Sequence, residues 1–264
     1  MKLFFSEFRA DYSKYHFPYQ VWLLKEDKDS AEKIYESGFL PIRSLPNVYY
    51  LSRNVRVNLG NFDLSSENRR ILRKSENLSS DLIPLSDFDY NAEVQKLCLD
   101  YCRDRFVKGT FSAKDIKTIF KGSVFNYVFV FKDNQTQKSA GFAVCFISSG
   151  FLQYAHAFYN LNYLAENIGA RMILEAVVWA KKSQKKYAYL GTCYEEKALY
   201  KTEYTGTEFF NGFKWSDNLE ELKELVRVRD RDREYLLRDE KFLERFYQKN
   251  LESILNNFGV RVNL

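Results

Sequence analysis

Hydrophobic spacing divides the chain into alternating strand-like and helix-like stretches. QVWLL, residues 20–24, reads as a strand. Asp29 or Ser30 can cap a short helix through Ala31, Ile34 and Tyr35, which Gly38 ends. FLPIR and NVYYLSRNVRVNL follow as strands, the second placing Tyr50, Ser52, Asn54, Arg56 and Asn58 on one side. A turn at residues 61–66 leads into SSENRRILRK. Residues 87–105 predict a helix with Tyr90, Val94, Leu97, Cys98, Tyr101 and Cys102 along one face. Another begins at Ser112, with Asp115 as its capping partner. From Ser123 the texture changes to NYVFVFKD, KSAGFAVCFISSG and FLQYAHAFYN, two consecutive hairpins that make a three-stranded meander. GARMILEAVVWAKK then has helical spacing at Ile168, Met172, Ile173, Ala176, Val177 and Ala180, and KKYAYLG is a strand expected beside the earlier ones. Beyond Trp215 the chain predicts helix, with Asn218 as cap and Glu221 completing a capping box. The run 227–234 alternates in sign, so its carboxylates cancel the field of its arginines. It reads as a solvated helical face or a junction between helices.

Strand–strand–strand–helix–strand resembles the GNAT-like acyltransferase superfamily: an α+β fold with a mixed, mainly antiparallel sheet flanked by helices. No repeat is visible, although a fold made of two related GNAT-like halves need not show one. The expected divisions are an N-terminal α/β domain at 1–85, separate or packed into the core, a GNAT-like domain at 86–217 and a C-terminal helical segment at 218–264. Asn167 and Gly169 form the expected acyl-donor loop, since free N–H groups at a helix start can hold phosphate. A coenzyme A pyrophosphate loop normally has several glycines, and here there is one.

Composition narrows the class. Of 264 residues, 17% are aromatic, with 23 Phe and 19 Tyr, which argues against long disordered regions. Neither a membrane span nor a signal peptide is visible, and a cytoplasmic location is expected. The four cysteines have only two histidines to join them in a metal site. Buried reduced thiols and no metal are therefore expected. A net charge of +5 permits an anionic partner without demanding one.

Candidate chemistry concentrates at residues 187–215, where Tyr194, Lys197, Tyr200, Lys201 and Tyr204 crowd together. A pocket for a polar, partly aromatic, anionic ligand would use such residues; an aromatic-rich core edge is the plain alternative. His156 is expected to pack, sharing a strand face with Tyr154 and Phe158 and opposite Gln153, Ala155 and Ala157.

Two strings sharpen this. Ser65-Ser66-Glu67-Asn68-Arg69-Arg70, continued by Ile71-Leu72-Arg73-Lys74, partly matches a Ser-x-Ser-x-Arg-Arg string, with Glu67 in place of the second serine. Tyr189-Leu190-Gly191, then Lys197-Ala198-Leu199-Tyr200-Lys201, Tyr204 and Glu208, keep the register of a second motif, with Ala198 in place of methionine. Residues 20–215 thereby resemble the arginyl-tRNA–protein transferase family, including its bacterial members that put leucine on protein N-termini. The chain lacks that family's N-terminal cysteine cluster and has Arg43, Tyr49, Tyr50, Ser52 and Arg53 in its place. The loop at Gly169 and the segment after Trp215 also depart from the family pattern.

The resemblance implies transfer of an amino acid, as in arginyl- or leucyl-transferases, from aminoacyl-tRNA to an amine on a protein, a peptide or a small molecule. The tRNA is a co-substrate, and no other cofactor is implied. Arg69, Arg70 and Arg73 would contact tRNA phosphates, and Lys197 and Lys201 would add charge across the cleft. Tyr194, Tyr200 and Tyr204 would stack on the terminal adenine. Glu208 would bind or deprotonate the acceptor amine, with the Tyr200 hydroxyl as a second proton relay. Two alternatives stand beside this: an N-acetyltransferase using acetyl-coenzyme A, and a non-catalytic RNA-binding or adaptor protein.

Overall fold

The computed structural model describes residues 1–227 and 239–258. In chain order the elements are β1 (Lys2–Glu7), β2 (Tyr19–Leu24), α1 (Ala31–Glu36), β3 (Phe39–Ile42), β4 (Leu45–Leu51), β5 (Asn54–Asn58), α2 (Ser66–Lys74), β6 (Leu78–Pro84), α3 (Ala92–Arg105) and α4 (Ala113–Lys121). There follow β7 (Tyr127–Asp133), β8 (Ser139–Ile147), β9 (Phe151–Tyr159), α5 (Ile168–Lys182), β10 (Tyr187–Thr192), a 3₁₀ segment (Glu196–Thr202), β11 (Thr207–Phe210), β12 (Trp215–Ser216), α6 (Leu219–Arg227), α7 (Glu240–Tyr247) and α8 (Leu251–Phe258).

Two sheets organise these elements. The smaller is antiparallel, in the order β1-β2-β4-β3. The larger has eight strands in the order β12-β11-β5-β10-β9-β8-β7-β6. Every pairing in it is antiparallel except β9–β10, whose strands are joined through α5. A parallel pair needs a crossover of this kind, and the amphipathic α5 supplies it. The result is the mixed, mainly antiparallel, helix-flanked sheet expected from the sequence, with the meander at β7-β8-β9.

The large sheet is covered on both faces. On one, Val57, Phe129, Cys145, Leu152 and Ala188 pack against Met172, Ile173, Ala176 and Val177 of α5. Val55 and Phe209 continue that face against Leu222 and Val226 of α6. On the other, Val128, Val130, Phe142, Val144 and Phe158 meet Cys98 of α3 and Ile116 and Phe120 of α4. Tyr35 of α1 and Leu40 cover Phe151 and Tyr189 farther along. Each large apolar side chain so enclosed contributes roughly 1.5–3 kcal/mol. The four cysteines are unpaired and buried.

Several expectations change. The strand expected through residues 50–58 breaks at Ser52–Arg53, where Asn54 N–H donates to the Ser52 carbonyl at 2.9 Å. That tight turn moves the chain from the small sheet to the large one, so Tyr50 and Arg56 do not share a strand face. Helix α3 starts at Ala92 because Asn91, not a residue near 87, caps it by accepting from Glu93 and Val94 N–H. Leu85 and Phe88 are instead drawn into the α3–α4 core. The alternation expected in β9 fails at a β-bulge: Val144 pairs with His156 but Cys145 with Tyr154, leaving Ala155 extra. Tyr154 therefore faces α5 while His156 and Phe158 face the other layer. Glu221 does not accept from the Asn218 N–H, which goes to Ser216 Oγ; it is 2% exposed and accepts from Ser216, Asn211 and Tyr247. Nearly all of the alternating-charge run, from 228 to 234, lies outside the described residues.

Candidate functional site

Strands β9 and β10 are parallel partners at only three positions, Phe151–Gln153 against Tyr187–Tyr189. Beyond these they part. β9 bulges at Ala155 and stays with β8, while β10 shifts register at Leu190 and stays with β5. Gly191, at φ +82°, takes the left-handed conformation that this shift requires and that a side chain would strain. A fork opens in the middle of the sheet.

The 3₁₀ segment fills the fork. Ala198 and Leu199 pack on the Val55–Phe209–Leu222 cluster, which fixes the segment. Tyr204 is buried beside Tyr154 in the α5 core, 7% exposed. Tyr200 keeps an exposed ring edge while burial raises the pKa of its hydroxyl, with Tyr159 adding to the effect. Tyr154, Tyr101 and Tyr204 are also raised, chiefly by burial. All four stay protonated at neutral pH and are available as donors.

Lys201 turns inward and donates from Nζ to the Thr192 carbonyl at 2.8 Å. Burial lowers its pKa, and the one ionisable neighbour acting on it is Cys193, not a carboxylate. Cys193 itself is raised by burial and pulled back by Lys201 and Arg53, so these two cations flank it. Arg53 sits on the turn between the sheets. Its N–H donates to Tyr194 Oη at 2.8 Å, its carbonyl accepts from Cys193 N–H at 3.0 Å and its guanidinium lies 4.8 Å from the Tyr194 ring centre. Arg53 Nη1, Ser52 Oγ and both amide atoms of Asn54 are buried without a hydrogen-bond partner among the described residues. Each such atom costs about 1–3 kcal/mol when left unpaired.

A second arginine, three residues on, is fully engaged. Arg56 Nε and Nη2 each reach Glu208 Oε2 at 2.7 Å, and Asn58 Nδ2 donates to Glu208 Oε1 at 3.2 Å. The guanidinium is sandwiched 3.7 Å from Tyr187 and 3.8 Å from Trp215. Glu208 thus sits on β11, occupied by Arg56 and Asn58.

The other expected residues lie as follows. Arg69 donates to the Leu64 carbonyl at 2.5 Å, Arg70 forms a two-bonded pair with Glu67, and Arg73 is exposed; all three are on α2. The string that includes them is a capping box, with Ser65 Oγ accepting from Asn68 N–H and Asn68 Oδ1 from Ser65 N–H. Lys197 points outward and pairs with Glu195 at 2.7 Å. Asn167 caps α5 by backbone only, in a left-handed conformation. Gly169 is small because Tyr159 stands against it: an added Cβ would lie 3.0 Å from the Tyr159 hydroxyl. His156 packs against Phe125 and Phe111, and burial together with Arg43 pushes its imidazole down to about 4. Residue spacing therefore brings Tyr194, Tyr200, Lys201 and Tyr204 to the fork and leaves the α2 arginines and Lys197 on the surface. It did not single out Arg53 or Asn54 as an unpaired polar cluster; the substitution of Ser52 and Arg53 for the expected thiols was the available signal.

No family model matches the chain. It is 26% identical over 171 residues to a protein named aspartate/glutamate leucyltransferase from Xylella fastidiosa strain M23, covering 61% of this chain and 66% of that one. A protein of the same name from Stenotrophomonas maltophilia strain R551-3 is 28% identical over 92 residues, covering 34% and 37%. The chain thus spans about two thirds of the length of the first of these relatives. Among solved structures, the C-terminal domain of a putative lysylphosphatidylglycerol synthetase from Agrobacterium fabrum aligns with a TM-score of 0.40 and 14% identity over 53% of this chain and 46% of that one. A GCN5-related glucosamine N-acetyltransferase region of a fungal enzyme aligns with a TM-score of 0.40 and 10% identity over 70% and 22%.

Proposed function

We propose that this protein transfers an amino acid from aminoacyl-tRNA to the α-amine of a protein or peptide. In keeping with the names of its relatives, leucine is the group transferred and an acceptor beginning with Asp or Glu is the substrate. The observation that carries this reading is Lys201, an inward-facing cation with no carboxylate partner among the described residues, held at the end of β10 with the Tyr200 ring centre 5.9 Å from its Nζ. An uncompensated buried charge is costly unless a ligand supplies the opposite one.

In the proposed reaction the acceptor nitrogen attacks the ester carbonyl of the aminoacyl-tRNA. A C–N bond forms, the C–O bond to the terminal ribose breaks, and the amine proton ends on the departing ribose hydroxyl. The ester is already activated, so positioning and stabilisation of the developing oxyanion supply most of the rate. Lys201 neutralises negative charge at the donor end, Tyr200 relays the proton, and the exposed Tyr194 ring frames the terminal base, while Tyr204 anchors the segment in the core. Arg69, Arg70, Arg73 and Lys197 meet phosphates farther out, and the N–H groups after Asn167 face the donor's polar end. Glu208, already shared by Arg56 and Asn58, acts as a positioning residue that fixes the sheet beside the fork. Acetyl-coenzyme A fits this chain less well, because the single glycine at the start of α5 answers to Tyr159 packing.

The test is transfer of labelled leucine from leucyl-tRNA to a peptide beginning with Asp, run beside labelled acetyl-coenzyme A. Amide-linked leucine, reduced at least about 100-fold by Lys201→Met, is the expected result. Label from acetyl-coenzyme A alone would overturn the reading.

A further inference from the structure

We infer that the turn Ser52–Asn54 is the subsite that reads the acceptor's first side chain, with Arg53 binding its carboxylate. This assignment builds on the transfer reading above only for the identity of the peptide; the turn itself is singled out by its own unpaired atoms. Ser52 is 4% exposed and Asn54 0%, yet among the described residues Ser52 Oγ, Asn54 Nδ2 and Asn54 Oδ1 have no partner, and neither has Arg53 Nη1. All four belong to one turn, held to the end of β10 by the Cys193 N–H and by the Tyr194 hydroxyl. The neighbouring strand residue Thr192, paired with Asn54, carries the carbonyl that receives Lys201. The unsatisfied turn and the fork therefore adjoin through a single residue.

The balance of donors and acceptors selects the ligand. Arg53 Nη1 and Asn54 Nδ2 need acceptors, Asn54 Oδ1 needs a donor, and Ser52 Oγ takes either. A phosphodiester offers only acceptors and would leave Asn54 Oδ1 unpaired. It is also linked to sugars on both sides, whereas a site ending at a 0% exposed residue suits the end of a chain. An acidic first residue brings acceptors on its carboxylate and donors on its α-amine, close together. One guanidinium matches one carboxylate in a two-bonded geometry. Tyr194, which accepts from Arg53 N–H and lies 4.8 Å from its guanidinium, holds that group beside the turn.

The experiment is equilibrium binding to the full chain, by fluorescence anisotropy, of peptides labelled at the C-terminus and differing only in their first residue. Peptides beginning with Asp and Glu should bind about 10–100-fold more tightly than those beginning with Asn and Gln. Arg53→Met should bring the ratio close to 1, and Arg53→Lys, which keeps the charge, should retain a preference. A short RNA hairpin ending in CCA should bind both variants as it binds the parent. Equal binding of the Asp and Asn peptides to the parent would overturn the assignment. So would an Arg53→Met protein that loses RNA affinity while keeping the peptide ratio. If Arg53→Met does not fold, Asn54→Ala serves in its place and should narrow the ratio. Peptide discrimination without leucine transfer would sink the proposed reaction and leave this subsite standing, whereas transfer without discrimination would do the reverse.

Discussion

Arg53 and Arg56 stand three residues apart and live in opposite circumstances. Arg56 is closed in: a carboxylate takes two of its nitrogens, two aromatic faces sandwich it, and it is 5% exposed. Around Arg53 the carboxylate is missing and the adjoining Ser52 and Asn54 are unpaired as well. Lys201 likewise has no carboxylate partner among the described residues, although its Nζ donates to the Thr192 carbonyl. The same residue type thus marks a finished piece of architecture in one place and an unfinished one beside it. Completed polar networks hold a fold together, whereas incomplete ones in a well-packed chain point to a missing partner.

The contrast can be broken most forcefully at Arg56. Replacing Arg56 by Met strands the Glu208 carboxylate and should lower unfolding free energy by about 3–5 kcal/mol, read from the urea midpoint. A loss below about 1 kcal/mol would show that the closed cluster is not structural. Lys201→Met should do the converse. We expect leucine transfer to fall at least about 100-fold, near 2.7 kcal/mol, with stability little changed, because a half-buried cation without a carboxylate partner is removed along with its one bond to the Thr192 carbonyl. Parallel losses of stability and transfer would erase the distinction between the two clusters.

His156 gives an intermediate effect and a defined pH window. Its folded value is about 4 against an ordinary 6.5. Between these values only the unfolded chain takes up the proton, so stability declines as pH falls from about 6.5 to about 4 and levels off below. Because His156 keeps some contact with solvent, the decline should not exceed about 2 kcal/mol. In His156→Gln that part of the pH dependence should vanish from denaturant titrations. The smallest effect is at Arg70, an exposed side chain paired with Glu67. Arg70→Ala should leave the melting midpoint in place and reduce the slope of log RNA affinity against log salt by about 1. An unchanged slope would remove Arg70 from the RNA-contact surface.

Local signals were legible in the sequence where local physics decides. Ser30 and Ser112 cap the helices they precede, and the spacing of α5 buries the residues it predicts. The meander follows from its turns, and Tyr200, Lys201 and Tyr204 do gather at the fork. What escaped depends on pairing between distant segments. Nothing in LSSDLIP announces β6, which exists because β7 pairs with it along seven positions. Neither the break at Ser52–Arg53 nor the bulge at Ala155 has a local marker such as glycine or proline. Arg56 and Arg53 look alike in one dimension, since Glu208 lies 152 positions from the arginine it neutralises.

The position of β5 has a consequence for how the molecule comes into being. An early strand lies between two late ones, β10 on one side and β11 on the other. Arg53 finds Tyr194 only when a loop of 141 positions closes. Such long-range closure is slow, and the middle of the sheet cannot be finished until residues 207–210 have been made. Residues 54–58 must wait, unpaired, for strands not yet synthesised. The fork is among the last features to assemble, so the surroundings of Tyr194 and Lys201 report on completion of folding itself.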